Sequence, residues 1–173
     1  MSILEAKNLS KHFGGLVAVD SVDYTVNAGE LRSIIGPNGA GKTTFFNMIA
    51  GDLTPTEGQV MFQDKDITLL SSHERSHQGI GRTYQITNVF PKLTVLENIR
   101  IAAQSRKTTF NFWSGIGDHG ELIEKTDKIL EKINLLEKRN ELAGTLAHGE
   151  QRYLEIGISL ATDPVLLLLD EPT

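Results

Sequence analysis

The hydrophobic positions of the chain follow two different periods. Between Val17 and Val26, the residues Val22, Tyr24 and Val26 alternate with polar ones, which predicts a strand with one buried and one wet face. Residues 3–7 form a shorter apolar-rich stretch and predict an edge strand. Asn27-Ala28-Gly29 predicts a turn, and Leu31 to Ile35 is a second apolar run, read as a strand that ends at Gly36. From Lys42 to Ala50 the period becomes helical, with Phe45, Met48 and Ile49 on one side and Gly51 placed to terminate the helix. Thr54-Pro55-Thr56-Glu57-Gly58 reads as a turn and Gln59 to Phe62 as a short strand. Ser71-x-x-Glu74 and Thr94-x-x-Glu97 each predict a capping box that opens a helix. Leu122, Thr126, Ile129, Leu130 and Ile133 sit at helical spacing, and a further helix is expected near 149–161. Residues 105–120 show no clean period and are expected to be an irregular insertion. Pro164 precedes Val165 to Leu169, a continuous aliphatic run that predicts a strand covered on both faces, as in a parallel sheet. Alternating strands first, a helical middle and a buried strand last predict an α/β core carrying an antiparallel β flap and a helical insertion.

Composition narrows this little. The 173 residues suit one domain, or one domain with a small subdomain. With 39% hydrophobic and 23% charged residues the chain has too much apolar content for disorder. Its 17 basic against 22 acidic residues give a net charge of −5, so no basic nucleic-acid footprint is present. Cysteine is absent, which excludes disulfides and thiolate metal sites. Val165 to Leu169 is the longest aliphatic run, far short of the roughly 20 residues of a membrane span. The opening Met-Ser-Ile-Leu-Glu-Ala-Lys predicts no signal peptide, so any membrane role is expected to come through a partner.

Two segments carry chemistry. Gly36-Pro37-Asn38-Gly39-Ala40-Gly41-Lys42-Thr43 fits G-x-x-x-x-G-K-[ST] without a gap, between an expected strand and an expected helix. Gly36, Gly39 and Gly41 let the backbone wrap closely and aim its N–H groups at phosphate oxygens, helped by the positive end of the following helix. Lys42 supplies a compact charge for the β- and γ-phosphates, and the Thr43 hydroxyl can ligate Mg²⁺. At the other end, the Val165–Leu169 strand runs into Asp170 and Glu171, acids at the edge where ligands bind in such sheets. Asp170 is expected to hold Mg²⁺ directly or through water, and Glu171 to polarise the attacking water as a general base.

Taken with Leu146-Ala147-His148-Gly149-Glu150-Gln151-Arg152 shortly before the acidic strand, these segments resemble the ATP-binding cassette (ABC) ATPases. The 146–152 segment is similar to that family's signature, usually Leu-Ser-Gly-Gly-Gln. Gln85 in Arg-Thr-Tyr-Gln matches the glutamine of the family's Q-loop, and Phe13 in Lys-His-Phe-Gly-Gly matches the aromatic that stacks on adenine. Within the family, Phe-Gly-Gly-Leu-x-Ala-Val-Asp and Leu-Ala-x-Gly-Glu-Gln-Arg are most similar to ATPase subunits of bacterial branched-chain amino-acid importers. The resemblance spans essentially the whole chain. It implies a P-loop NTPase fold of ABC type: a mixed β core with an antiparallel β subdomain, about 1–88 and 162–173, and a helical subdomain, about 89–161.

The resemblance also implies roles. ATP would lie against Phe13 and Val19 and be held by Asn38, Gly39, Ala40, Gly41, Lys42, Thr43 and Thr44. Mg²⁺ would be held by Thr43, Gln85 and Asp170, with Glu171 and Gln85 serving catalysis. Two such subunits, identical or paralogous, would pair head to tail, so that Ala147, His148 and Gly149 of one meet the γ-phosphate on the other. The partners would be permease subunits at the inner face of the cell membrane, with the protein cytoplasmic and peripheral there and no nucleic acid bound. Two departures stand out: Ala147 takes the usual Ser position, which removes one hydroxyl contact, and His148 and Glu150 replace Gly and Gln. His148 reads either as a catalytic base or as a solvent-facing side chain. Family domains continue into a D-loop and a switch histidine, and the chain stops at Thr173 before both. The expectation is therefore a truncated domain that binds ATP weakly and hydrolyses it poorly. A soluble ABC-type ATPase outside transport, a non-enzymatic nucleotide-dependent scaffold and a small-molecule P-loop kinase remain as alternatives. Phe110, Phe112 and Trp113 either anchor the 105–120 loop or face the permease.

Overall fold

The computed structural model describes residues 1–83, 89–105 and 118–169, and these divide into two compact units, Met1–Gln78 and Gly79–Thr173. Gln85, Asp170, Glu171 and most of the 105–120 insertion, with its three aromatic residues, lie outside the described residues.

The first unit is an antiparallel sheet with two helices. β1 (Ser2–Phe13) and β2 (Leu16–Asn27) form a hairpin, followed by α1 (Lys42–Ala50), β3 (Glu57–Phe62), β4 (Lys65–Asp66) and α2 (Ser72–Gln78). The strand order is β2-β1-β3-β4. The expected edge strand at 3–7 is thus the start of a twelve-residue central strand. Polar Glu5, Lys7 and Asn8 interrupt the apolar run and mask a strand that is paired on both sides. Leu4 faces Val26 across the hairpin and Phe62 on the other flank, and all three are buried. A bulge between Ala6 and Leu9, with Asn8 at φ 48°, places both Leu9 and Ser10 in the interior. The Asn8 N–H donates to Asp23 Oδ1 at 2.8 Å, so the ladder bond lost at the bulge is replaced by a side chain. The helix α1 has the predicted bounds and buries Phe45, Met48, Ile49 and Ala50, with Tyr24 of β2 meeting Phe45 edge-on at 5.4 Å.

The apolar run Leu31 to Ile35 is not a strand. No described strand pairs with it, and Leu31 and Ile35 are each 91% exposed. Apolar content alone does not make a strand, because its N–H and C=O groups need a neighbour to complete a ladder.

The second unit pairs β5 (Ile80–Arg82) with β6 (Leu166–Leu168) in parallel, Ile80 opposite Leu166 and Arg82 opposite Leu168. The parallel pairing agrees with the continuous aliphatic run, but only one face is fully covered: Leu166 and Leu168 are buried, whereas Leu167 is half-buried and Val165 is exposed. Between these strands run α3 (Val95–Ser105), α4 (Asp118–Lys132) and α5 (His148–Ala161). Their shared core includes Val95, Ile99, Leu122, Ile129, Leu130 and Leu154, of which Leu122, Ile129 and Leu130 are periodic positions expected from the sequence. Buried Asn98 donates to the Phe90 and Thr94 carbonyls and accepts from the Phe90 N–H at 2.7 Å, which ties the loop before α3 to that helix. Both capping boxes form: Glu74 bonds the Ser71 N–H and hydroxyl, and Glu97 those of Thr94. Among the described residues no helix is long and apolar enough to cross a membrane.

Candidate functional site

Residues 36–41 form a tight loop that leads into the first turn of α1. Gly39 and Gly41 have φ of 83° and 79°, a left-handed conformation that L side chains adopt only under strain. At Gly41 the reason for glycine is also spatial, since a Cβ there would lie 2.3 Å from the Ala18 carbonyl oxygen of β2. The loop is closed from inside: the Ala40 N–H donates to Pro37 O at 3.2 Å, and Lys42 Nζ donates to Gly36 O at 2.7 Å and Pro37 O at 2.8 Å. The ammonium is thereby held at the mouth of the loop. Gly41 is the N-cap, provides no side-chain acceptor, and the first turn carries no acid. The positive end of α1 is thus not neutralised by its own side chains. Asn38, Gly39, Ala40 and Thr43 are exposed along this rim, with Lys42 and Thr44 half-buried. Helix N-terminal amides, one fixed cation and the hydroxyls of Thr43 and Thr44 form a cradle of donors that can receive an anion.

Beside the loop lies a largely apolar cavity of about 480 Å³ walled by Val19, Val22, Tyr24, Ile34, Gly41 and Phe45 among others. Of the two residues expected to meet a base, Val19 is a wall of this cavity and Phe13 is not. Phe13 ends β1 at the hairpin turn, 49% exposed, with Lys11 Nζ 5.4 Å from its ring centre.

The signature-like segment opens α5. Ala147 is its N-cap, and Ala147, His148 and Gly149 are exposed. Ala147 cannot accept a capping bond, so Glu150 supplies the N-terminal contact alone: its Oε2 accepts the Ala147 N–H at 3.1 Å while Oε1 takes Lys138 Nζ at 2.7 Å. The Lys138 ammonium and the Ala147 N–H hold the Glu150 carboxyl below its ordinary range. In the sequence, Glu150 stands out only as a departure from Gln. The three-residue spacing from the N-cap was a usable signal, hidden because Ala147 is not a Ser or Thr. The Lys138 partner, twelve residues away, had none. Arg75, buried under the end of α1, was likewise missed.

A phosphate loop on a short helix, preceded by a β hairpin and followed by a helical unit whose last helix opens on Leu-Ala-His-Gly-Glu-Gln, defines a class of nucleotide-driven ATPase. The sequence model of the family described as ABC transporter matches residues 19–173, and the chain belongs to that family. It is 41% identical to the high-affinity branched-chain amino acid transport ATP-binding protein BraF of Pseudomonas aeruginosa, over 98% of this chain and 69% of that one. It is also 38% identical to the lipopolysaccharide export system ATP-binding protein LptB of Haemophilus influenzae, over 99% of this chain and 68% of that one. Among solved structures, an ATP-binding cassette of an ABC transporter in its ADP conformation superposes with a TM-score of 0.85 at 39% identity, covering 99% of this chain and 69% of that one. The fold is that of an ABC ATPase cassette, and ATP hydrolysis is the activity that goes with it.

Proposed function

We propose that the chain is the ATP-binding and hydrolysing subunit that powers import of branched-chain amino acids, or a related small solute, through partner membrane subunits. The observation that carries this reading is the 36–44 cradle, with Lys42 held at its mouth, on a chain 41% identical to a branched-chain amino-acid transport subunit. In this reading Phe13 and Val19 flank the base, and Asn38, Gly39, Ala40, Gly41, Lys42, Thr43 and Thr44 take the phosphates. The donors assigned to the metal, the Thr43 hydroxyl with Gln85 and Asp170, are all oxygen donors, a hard set that fits Mg²⁺ rather than a softer ion. When bound, that ion supplies charge neutralisation to the phosphates. Lys42 and the loop amides bind and orient the nucleotide, and Glu171 takes the proton of the attacking water. Ala147, His148 and Gly149 of a second subunit complete the site, in a homodimer or a paralogous pair. The protein sits at the inner face of the cell membrane through its permease. The core is proposed to comprise about 1–88 and 162–173, and the helical subdomain about 89–161.

Lys42→Ala removes the cradle's cation and is expected to abolish nucleotide binding; undiminished ATP affinity in titration calorimetry overturns the assignment. The LptB similarity favours a second reading, an ATPase serving export of a different cargo. The two separate on reconstitution: import predicts that ATPase activity with the cognate permease rises with a solute-loaded binding protein, and export predicts indifference to it.

A further inference from the structure

Arg75 of α2 is the largest fully buried side chain among the described residues, 1% exposed. Its guanidinium is spent on backbone carbonyls. Nη1 donates to Met48 O at 2.7 Å and Ile49 O at 2.8 Å, both in the last turn of α1. Nε donates to Leu70 O at 3.0 Å and Nη2 to Thr68 O at 2.8 Å, in the segment that leads into α2. Gly51, the left-handed C-cap of α1 at φ 86°, is shaped to this contact, because a Cβ there would lie 2.9 Å from both Cδ and Nε of Arg75.

A buried cation is an expensive arrangement for a purely structural clamp, since an apolar residue of similar volume would fill the space without desolvating a charge. Burial drives the Arg75 pKa down to about 10, with Asp52 and Asp66 opposing the shift, so the group remains charged at neutral pH. What a cation provides here is a match to the negative end of α1, whose free C-terminal carbonyls it satisfies. The other end of the same nine-residue helix begins at Lys42, in the phosphate cradle.

We propose that Arg75 is a positioning residue for nucleotide binding: it grips the C-terminal turn of α1 and so holds the amides at its N-terminal end, Gly41 to Thr44, at the place where phosphates dock. This rests on the cradle reading given above. A rigid nine-residue helix transmits an axial or tilting displacement from one end to the other, and anion binding by backbone amides is sensitive to such displacements. Arg75→Lys keeps the charge but reaches fewer carbonyls. Gly51→Ala keeps the arginine but crowds its Cδ and Nε, and also meets Leu70 O at 2.9 Å with φ at 86°. Both leave the identity of every cradle residue unchanged.

The test is titration of the wild-type chain and the two variants with ATP by calorimetry, alongside thermal unfolding. Stoichiometry reports the folded fraction, and the dissociation constant reports the geometry of what is folded. Positioning predicts that at least one variant keeps near-full stoichiometry while its dissociation constant rises about tenfold. It also predicts faster amide hydrogen exchange at residues 41–44 in that variant. A purely structural role predicts a lower melting temperature with unchanged affinity in the folded fraction, and that result overturns the proposal. Variants that do not fold at all also count against it, because they make Arg75 a condition of folding. Should the wild-type chain fail to bind ATP while Lys42→Ala is indistinguishable from it, the cradle reading falls instead.

Discussion

At the scale of single residues, the two glycines of the phosphate loop are not equivalent. Both have positive φ, but a Cβ at Gly39 would meet nothing within 4 Å, whereas at Gly41 it would strike the Ala18 carbonyl. Gly39→Ala therefore carries only the cost of a left-handed side-chain-bearing residue, about 1–2 kcal/mol. Gly41→Ala adds a backbone collision that can be relieved only by moving the loop away from β2. Chemical denaturation is expected to show a clearly larger loss for Gly41→Ala, and ATP titration a loss of affinity that Gly39→Ala does not match. Equal losses would mean that conformational strain alone governs both positions. Glycine counts in the sequence marked the loop, but they did not separate the two roles, because the collision involves β2, more than twenty residues earlier.

At the scale of elements, the N-terminus of α5 is held by a charge pair that replaces a conventional cap. Lys138 and Glu150 are part-exposed, at 39% and 28%, so their mutual attraction is screened and the pair matters more for the geometry of the turn than for global stability. The Glu150 carboxyl is held below its ordinary value of 4.5, first by Lys138 and then by the Ala147 N–H. A lowered folded-state pKa contributes stability that is fully present above about pH 4.5 and is lost as the pH falls through the folded value. The difference in unfolding free energy between wild type and Lys138→Ala is thus expected to be largest near neutrality and to vanish in acid; a difference that persists in acid would assign the effect to lysine packing instead. Deeper in the same unit, Leu154 is fully buried, and Leu154→Ala is expected to cost about 2–5 kcal/mol in denaturant titration. Elements whose partners are local, such as α1, the capping boxes at Ser71 and Thr94 and the α4 stripe, were legible because their signals lie within one or two turns. The central place of β1 and the absence of a strand at Leu31–Ile35 were not, because pairing is decided by residues distant in sequence. The candidate site divides in the same way. The 36–43 cradle could be read off residue types, whereas the Lys138 and Arg75 contacts depend on side chains brought in from elsewhere.

At the scale of the whole molecule, ligand binding and folding are one equilibrium. A nucleotide that binds only the folded chain raises the free energy of unfolding by RT ln(1 + [L]/Kd), about 2.7 kcal/mol at a hundredfold excess over Kd. The cradle belongs entirely to the Met1–Gln78 unit, and the cavity beside it is walled by residues of that unit alone. ATP is accordingly expected to protect the amides of α1 and the β1–β2 hairpin from hydrogen exchange. In the Gly79–Thr173 unit, the α5 N-terminus is expected to gain protection only at protein concentrations where two subunits meet across a nucleotide. Lys42→Ala should erase both effects together, because the second depends on the first. Protection of α5 that is independent of protein concentration would mean that the signature-like segment answers to nucleotide within one chain, and the head-to-tail pairing would have to be abandoned.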